Sequence, residues 1–171
     1  MTGLQRKACL LGDFAVGKTS LVRRFVYDLF SEKYMTTIGV KVSRKMVAVP
    51  RNGNAVELTL MLWDLAGSEE FDQVRTSYLR GASGAVLVCD LTRPETLANL
   101  PQYANQLLHL NPEARLVVVA NKLDLSDQRQ LSSAQVEEAA GKLNAPYYLT
   151  SAKVGIEVET LFRHLGRLLL A

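Results

Sequence analysis

Several features that mark broad classes of protein are scarce in this 171-residue chain. It has two cysteines, Cys9 and Cys89, far apart and each inside an apolar run. There is no C-x-x-C pair to suggest zinc, and a chain of this length needs no disulfide framework to build a core. Both cysteines are therefore read as reduced core residues. No apolar stretch approaches the length of a membrane span, and residues 1–11 lack a secretory apolar segment with a cleavage site. The expected compartment is the cytoplasm. Long blocks of one charge are missing too. Twenty Lys and Arg against 17 Asp and Glu leave a formal net charge of +3. With no basic run and no RNA-binding pattern, a nucleic-acid partner is not expected. No repeat, linker or low-complexity tract divides the chain, so residues 1–171 read as one domain.

What the chain does contain is strict alternation. Apolar runs at 7–11, 40–49, 55–63, 84–90, 115–120 and 146–150 read as strands. Helix-period segments are predicted at 18–26 and near 69–80, 94–109, 132–143 and 154–170. Arg51-Asn52-Gly53-Asn54 joins two extended runs, and its Asn-Gly step predicts a hairpin. Ser132 with Gln135 forms the pattern of a capping box. Val158, Leu161, Phe162, Leu165 and Leu168 make one apolar stripe suited to packing on a sheet. The expected fold is α/β, a mostly parallel sheet with one antiparallel edge strand from the hairpin. Ligands of such sheets bind beyond the carboxyl ends of the strands, where every motif below falls.

Gly12-Asp13-Phe14-Ala15-Val16-Gly17-Lys18-Thr19 fits the phosphate-loop pattern G-x-x-x-x-G-K-S/T between a strand and a helix. Its N–H groups can converge on a phosphate, aided by the helix N-terminus. The candidate phosphate-binding residues are Asp13, Phe14, Ala15, Val16, Gly17, Lys18, Thr19 and Ser20. Lys18 would reach the β- and γ-phosphates, and the Thr19 hydroxyl would ligate magnesium. Asp64, ending the strand before Leu65-Ala66-Gly67, is placed to hold a magnesium-bound water. Gly67 lets a backbone N–H approach the γ-phosphate. In Tyr34-Met35-Thr36-Thr37-Ile38-Gly39, a threonine (Thr37 in the candidate metal set with Thr19 and Asp64) can offer its hydroxyl to magnesium and its N–H to the γ-phosphate. Such contacts would order that loop only with triphosphate bound.

Asn121-Lys122-Leu123-Asp124 and Ser151-Ala152-Lys153 follow the fifth and sixth strands. A carboxylate at Asp124 can accept from both N1–H and the 2-amino group of guanine, whereas adenine has no donor at either place. The Ala152 N–H can donate to guanine O6 while the Lys153 stem covers the ring. Lys122 and Lys153 can equally be read as plain surface lysines.

These pieces occur in one order, each at a strand end, and the chain resembles a Ras-superfamily small GTPase over nearly its full length. Within that superfamily it looks most like the Rab branch. The residues carrying this are Thr37-Ile38-Gly39-Val40, Trp63-Asp64 before Ala66-Gly67, and Tyr78-Leu79-Arg80-Gly81-Ala82. The resemblance implies a P-loop NTPase domain with a six-stranded sheet and about five helices, binding GTP or GDP with Mg2+. It assigns Phe30 to stacking on the guanine edge and Tyr34 to covering the phosphates, which spacing alone leaves as core or loop aromatics. Lys18, Thr37, Gly67 and Ser68 then occupy the catalytic positions. Effectors, an exchange factor and an activating protein are implied as partners.

Three departures stand out. Ser68 occupies the place where the family usually carries a glutamine that orients the attacking water, and serine is too short to reach it. Phe14 stands where a small residue is common, and its ring would crowd the γ-phosphate or an incoming arginine. Leu168-Leu169-Leu170-Ala171 carries no cysteine of the kind used for prenylation, so no lipid anchor is expected there. Slow hydrolysis is the expectation, unless Glu69 or Glu70 positions the water. The rival readings are a non-hydrolysing binding module and a P-loop ATPase or kinase, the latter opposed by Asp124. His109 and His164, remote from the motifs, are read as solvated surface residues without a general-base role.

Overall fold

The computed structural model describes residues 3–33, 37, 39–67 and 72–171, with backbone alone for 72–74. Expectations for Tyr34, Ser68, Glu69 and Glu70 lie outside the described residues. Six strands form one sheet in the order β2-β3-β1-β4-β5-β6. They are β1 Leu4–Leu11, β2 Val40–Arg51, β3 Asn54–Leu65, β4 Gly84–Asp90, β5 Arg115–Asn121 and β6 Tyr147–Leu149. Only β2 runs antiparallel, against β3. Every residue of β4 is buried, as a central strand covered on both faces requires. Edge strand β2 instead alternates, turning Ser43, Val47 and Val49 inward.

The β2–β3 hairpin is longer than the apolar runs alone suggest, because Arg51 pairs directly with Asn54. The two residues between them, Asn52 at φ 52° and Gly53 at φ 80°, both take the left-handed conformation that matches strand twist in a two-residue turn.

Helices cover both faces. Helices α1 (Lys18–Tyr27) and α6 (Val158–Leu169) pack on one side, where the rings of Phe25 and Phe162 stack at 4.3 Å. Helices α2 (Asp72–Leu79), α3 (Pro94–Ala98), α4 (Leu100–Leu110) and α5 (Ser133–Lys142) cover the other. The segment expected as one helix near 94–109 is thus two. Pro101 has no N–H to continue the ladder, so the hydrogen bonding restarts at Asn99. The last helix begins at Val158 rather than 154, because Gly155 and Glu157 take positive φ of 83° and 62° ahead of it. The capping box at Ser132 and Gln135 is present with both of its bonds.

Cys9 and Cys89 are buried and free. His109 is exposed, as read. His164 departs from a plain surface residue: it is half-buried, its Nδ1 lies 2.7 Å from the Tyr148 hydroxyl, and burial lowers its pKa. No helix among the described residues is long and apolar enough to cross a membrane.

Phe162 is fully buried and joins α1 to α6 through its stack on Phe25. Replacing it with alanine is expected to cost about 3–5 kcal/mol, measured as a shift in the urea unfolding midpoint at unchanged slope.

Candidate functional site

Beyond the carboxyl ends of β1, β3, β5 and β6 lies a cavity of about 450 Å³. That is within the usual range for a small-molecule site. Its walls come from the loop after β1 and the start of α1, residues 29–33, Thr37, Gly67, Asn121, Lys122, Asp124, Leu125 and Ala152-Lys153.

The loop after β1 has its shape because side chains are missing at two places. A Cβ on Gly12, at φ 151°, would fall 2.2 Å from the Val88 carbonyl oxygen. On Gly17, at φ 106°, it would fall 2.2 Å from Asn121 Nδ2. Between them Ala15 takes φ 62°, a conformation that costs an L-residue about 1–2 kcal/mol. Side-chain donors hold the carbonyls of the whole curl. Lys18 Nζ donates to Gly12 O at 2.9 Å and Asp13 O at 3.0 Å. Arg93 Nη2 donates to Phe14 O at 2.7 Å, Lys122 Nζ to Ala15 O at 2.8 Å, and Asn121 Nδ2 to Val16 O at 3.1 Å. In a trans peptide the N–H points opposite to its C=O. Anchoring the carbonyls of 14, 15 and 16 therefore fixes the N–H directions of 15, 16 and 17, and α1 opens with its own unpaired N–H groups directly after them. This is an anion cradle.

Lys18 is 6% exposed, and burial lowers its pKa to about 8 against the opposing charges of Asp64 and Asp13. Asp13 itself does not turn its side chain to the cavity. Its carboxylate accepts from Asn99 Nδ2 and the Tyr103 hydroxyl, each at 2.7 Å, so it offers the site only backbone. Burial and that carboxylate together push the Tyr103 hydroxyl up to about 12. Val16 is likewise a core side chain with a loop carbonyl. Phe14 is 45% exposed at the rim.

Hard oxygen ligands gather beside Lys18. The Thr19 hydroxyl donates to Asp64 Oδ2 at 2.5 Å and is hydrogen-bonded to the Thr37 hydroxyl, which lies 3.4 Å from the same carboxylate oxygen. Asp64 is 1% exposed, its other oxygen has no hydrogen-bond partner among the described residues, and burial raises its pKa. A buried carboxylate with an orphaned oxygen beside two hydroxyls fits magnesium, which takes one or two carboxylates and completes its shell with phosphate oxygens and water. No cluster of three or more His, Cys, Asp or Glu able to hold a metal occurs among the described residues. Gly67 presses on the loop: a Cβ there would lie 2.7 Å from Phe14 N and 2.8 Å from Gly12 O.

At the other end of the cavity Asn121, 2% exposed, accepts through Oδ1 from the Thr150 hydroxyl at 3.0 Å and the Ala152 N–H at 3.2 Å. The Ala152 N–H expected to meet a base is therefore already engaged by Asn121. Ser151 is fully buried and does not line the cavity; its hydroxyl donates to Asp124 Oδ1 at 2.7 Å and so aims that carboxylate. Lys122 is no plain surface lysine, since its ammonium also lies 2.8 Å from Asp90 Oδ2. Lys153 reaches across the mouth to Glu32 at 3.1 Å, and half-buried Phe30 lines the same wall.

Three contributors escaped the sequence reading. Arg24 donates to Ala152 O at 2.8 Å and Lys153 O at 2.6 Å, holding that loop from α1. Asp90 and Arg93 brace the phosphate loop from the end of β4. A charged residue ending a fully apolar strand is the signal that would have pointed to Asp90.

The lowered pKa of Lys18 has a definite sign in stability. The unfolded chain holds that proton up to about 10.5 and the folded ligand-free protein only to about 8. The Lys18 contribution to stability therefore rises with pH between these values, by up to about 1 kcal/mol per pH unit, while Cys9 and Cys89, pushed up to about 12 by burial, contribute with the opposite sign above about 9. Urea unfolding of ligand-free wild-type and Lys18→Met proteins across that range isolates the lysine: the stability difference between them should shift in favour of the wild type as pH rises from about 8 to 10.5.

A sequence model of the Ras family matches residues 7–171. "Ras-related protein SEC4" of Saccharomyces cerevisiae is 40% identical over 164 residues, covering 95% of this chain and 74% of that protein. "Ras-related protein Rab7" of Drosophila melanogaster is 38% identical over 167 residues (94% of this chain, 78% of that one). "Ras-related protein Rab-31" of Homo sapiens is 38% identical over 162 residues, with 94% and 81% covered. With the expected six-stranded sheet and its one antiparallel edge strand, and a cradle built as the motifs require, the chain belongs to the Ras family as a Rab-like small GTPase.

Proposed function

We propose that this protein binds GTP and GDP with Mg2+, hydrolyses GTP slowly, and presents different loop conformations to partners in the two states. One observation carries the reading: a cradle with fixed N–H directions and the carboxylate of Asp124 share one cavity. The Ser151 hydroxyl occupies one oxygen of Asp124 and leaves the other to accept donors from a guanine edge. Asp13 to Gly17 would enclose the phosphates, with Lys18 on the β- and γ-oxygens and Ser20 beside Thr19 at the helix start. Phe30 and the Lys153 stem would face the base, and Ala152 N–H would be shared between Asn121 and guanine O6. Thr19, Thr37 and Asp64 would hold Mg2+, whose charge offsets that on the β- and γ-phosphates.

Slow turnover rests on two residues. Ser68 lacks the reach to orient a water, and the exposed ring of Phe14 stands at the phosphate rim. An arginine supplied by an activating protein, worth about 10³–10⁵ in rate, would restore turnover. Effectors and an exchange factor would read the segments about 30–40 and 65–78. The whole of 1–171 would act as one G domain, in the cytoplasm.

Two measurements test this. Asp124→Asn should lower GDP affinity by at least about a hundredfold and raise xanthosine diphosphate affinity, because the amide donates where xanthine offers a carbonyl. Unchanged guanine preference in that variant defeats the base assignment. Single-turnover hydrolysis of bound GTP, without partners, should run well below that of glutamine-bearing relatives. An equal rate refutes the role given to Ser68, and no phosphate over many hours favours the inert binding module.

A further inference from the structure

We infer that Arg93 is a positioning residue for the phosphate loop, holding the Phe14–Ala15 peptide so that the Ala15 N–H serves the outer phosphates of a bound nucleotide. This rests on the guanine-nucleotide reading and adds a residue outside the motifs that support it. The guanidinium works as a fork: Nε donates to Asp90 Oδ2 at 3.1 Å while Nη2 donates to Phe14 O at 2.7 Å. Asp90 is 1% exposed and all its acceptor capacity is used. Oδ1 accepts from the Thr92 N–H at 2.8 Å and the Thr92 hydroxyl at 2.7 Å, and Oδ2 from Arg93 and from Lys122 at 2.8 Å. One buried carboxylate thus orients two cations, and those cations hold two successive carbonyls, Phe14 O and Ala15 O.

The need for a clamp comes from Ala15. At φ 62° it sits where an L-residue is strained, and rotation of the preceding peptide is the local route to relief. That rotation would carry the Ala15 N–H out of the cradle. Lys122 and Asn121 fix the next two peptides, and Arg93 fixes the one between Phe14 and Ala15 through Phe14 O. Phe14 N lies against Gly67, the residue read as approaching the γ-phosphate, so loss of the clamp should be felt by the second phosphate and little by the first.

Displacement of a fluorescent GDP analogue from the full-length magnesium-loaded protein, by GDP and separately by GMP, reads this split. Arg93→Ala should weaken GDP about tenfold, the scale of one charge-assisted hydrogen bond, with GMP changed by less than about twofold. Arg93→Lys keeps the charge, but one nitrogen cannot serve Asp90 and Phe14 with the same fork. It should show a smaller loss with the same GDP selectivity, and it carries the test should the alanine variant not fold. Equal losses for GDP and GMP would mean general weakening of the site and overturn the inference. So would unchanged GDP affinity in both variants. Wild-type protein that GDP fails to displace would instead sink the guanine-nucleotide reading itself, and this inference with it.

Discussion

The carboxamide of Asn121 occupies the space that a side chain on residue 17 would need, and the site is assembled around that contact. A Cβ at Gly17 would lie 2.2 Å from its nitrogen. That nitrogen donates to the Val16 carbonyl, and the amide oxygen gathers the Thr150 hydroxyl and the Ala152 N–H. One side chain, 2% exposed, thereby uses donor and acceptor to join the loops after β1, β5 and β6. A buried amide left without partners costs about 1–3 kcal/mol, so these bonds make the relative placement of the loops specific. Were residue 17 anything but glycine, the amide would be displaced, and Val16, Thr150 and Ala152 would lose a common partner together.

Around that joint, ionisable groups lie buried at the strand ends, where a soluble core would not place them without cause. Burial draws Lys18 down and Asp64 up, each toward its neutral form. Asp90, like Asp64 only 1% exposed, goes the other way: burial is outweighed by bonds from Lys122 and Thr92, and its pKa is lowered. The contrast separates two kinds of site. Asp90 already has its cations and functions as a fixed brace. Lys18 and Asp64 are incompletely compensated, Lys18 resting on carbonyls and Asp64 on hydroxyls, so an anion beside one and a cation beside the other would each relieve a desolvation cost.

Much of this was legible in the sequence, and the reasons for success and failure are the same. Strand–loop–helix spacing put Gly12, Gly17, Asp64, Asn121 and Asp124 at strand ends because a strand's position follows from its apolar run. The direction of a side chain does not follow from it. Asp13 and Ser151 sit within their motifs, yet one turns to Asn99 and Tyr103 and the other to Asp124. Arg24 and Arg93 were missed because their partners lie 128 and 79 residues away in sequence and carry no pattern. The division of 94–109 was readable in principle, since Pro101 cannot donate a helical bond. Periodicity continued across it and hid the break.

Phe14 shows how backbone and side chain at one position answer to different constraints. Its carbonyl is held at 2.7 Å by Arg93, while its ring stays 45% exposed. The loop's unfavourable backbone conformation falls on its neighbour, Ala15, at φ 62°, and Phe14 is absent from the residues of positive φ. A bulky residue at 14 therefore need not deform the cradle, because φ there is ordinary and the peptide that follows is anchored. Any effect of the ring must act through the space it fills at the rim. The strain at Ala15 is offset by three bonds on carbonyls 14, 15 and 16, each supplied from β4 or β5 side chains or the turn beyond them. The shape of the loop is thus imposed by the sheet behind it, and the loop's own sequence is left free to vary at its exposed corner.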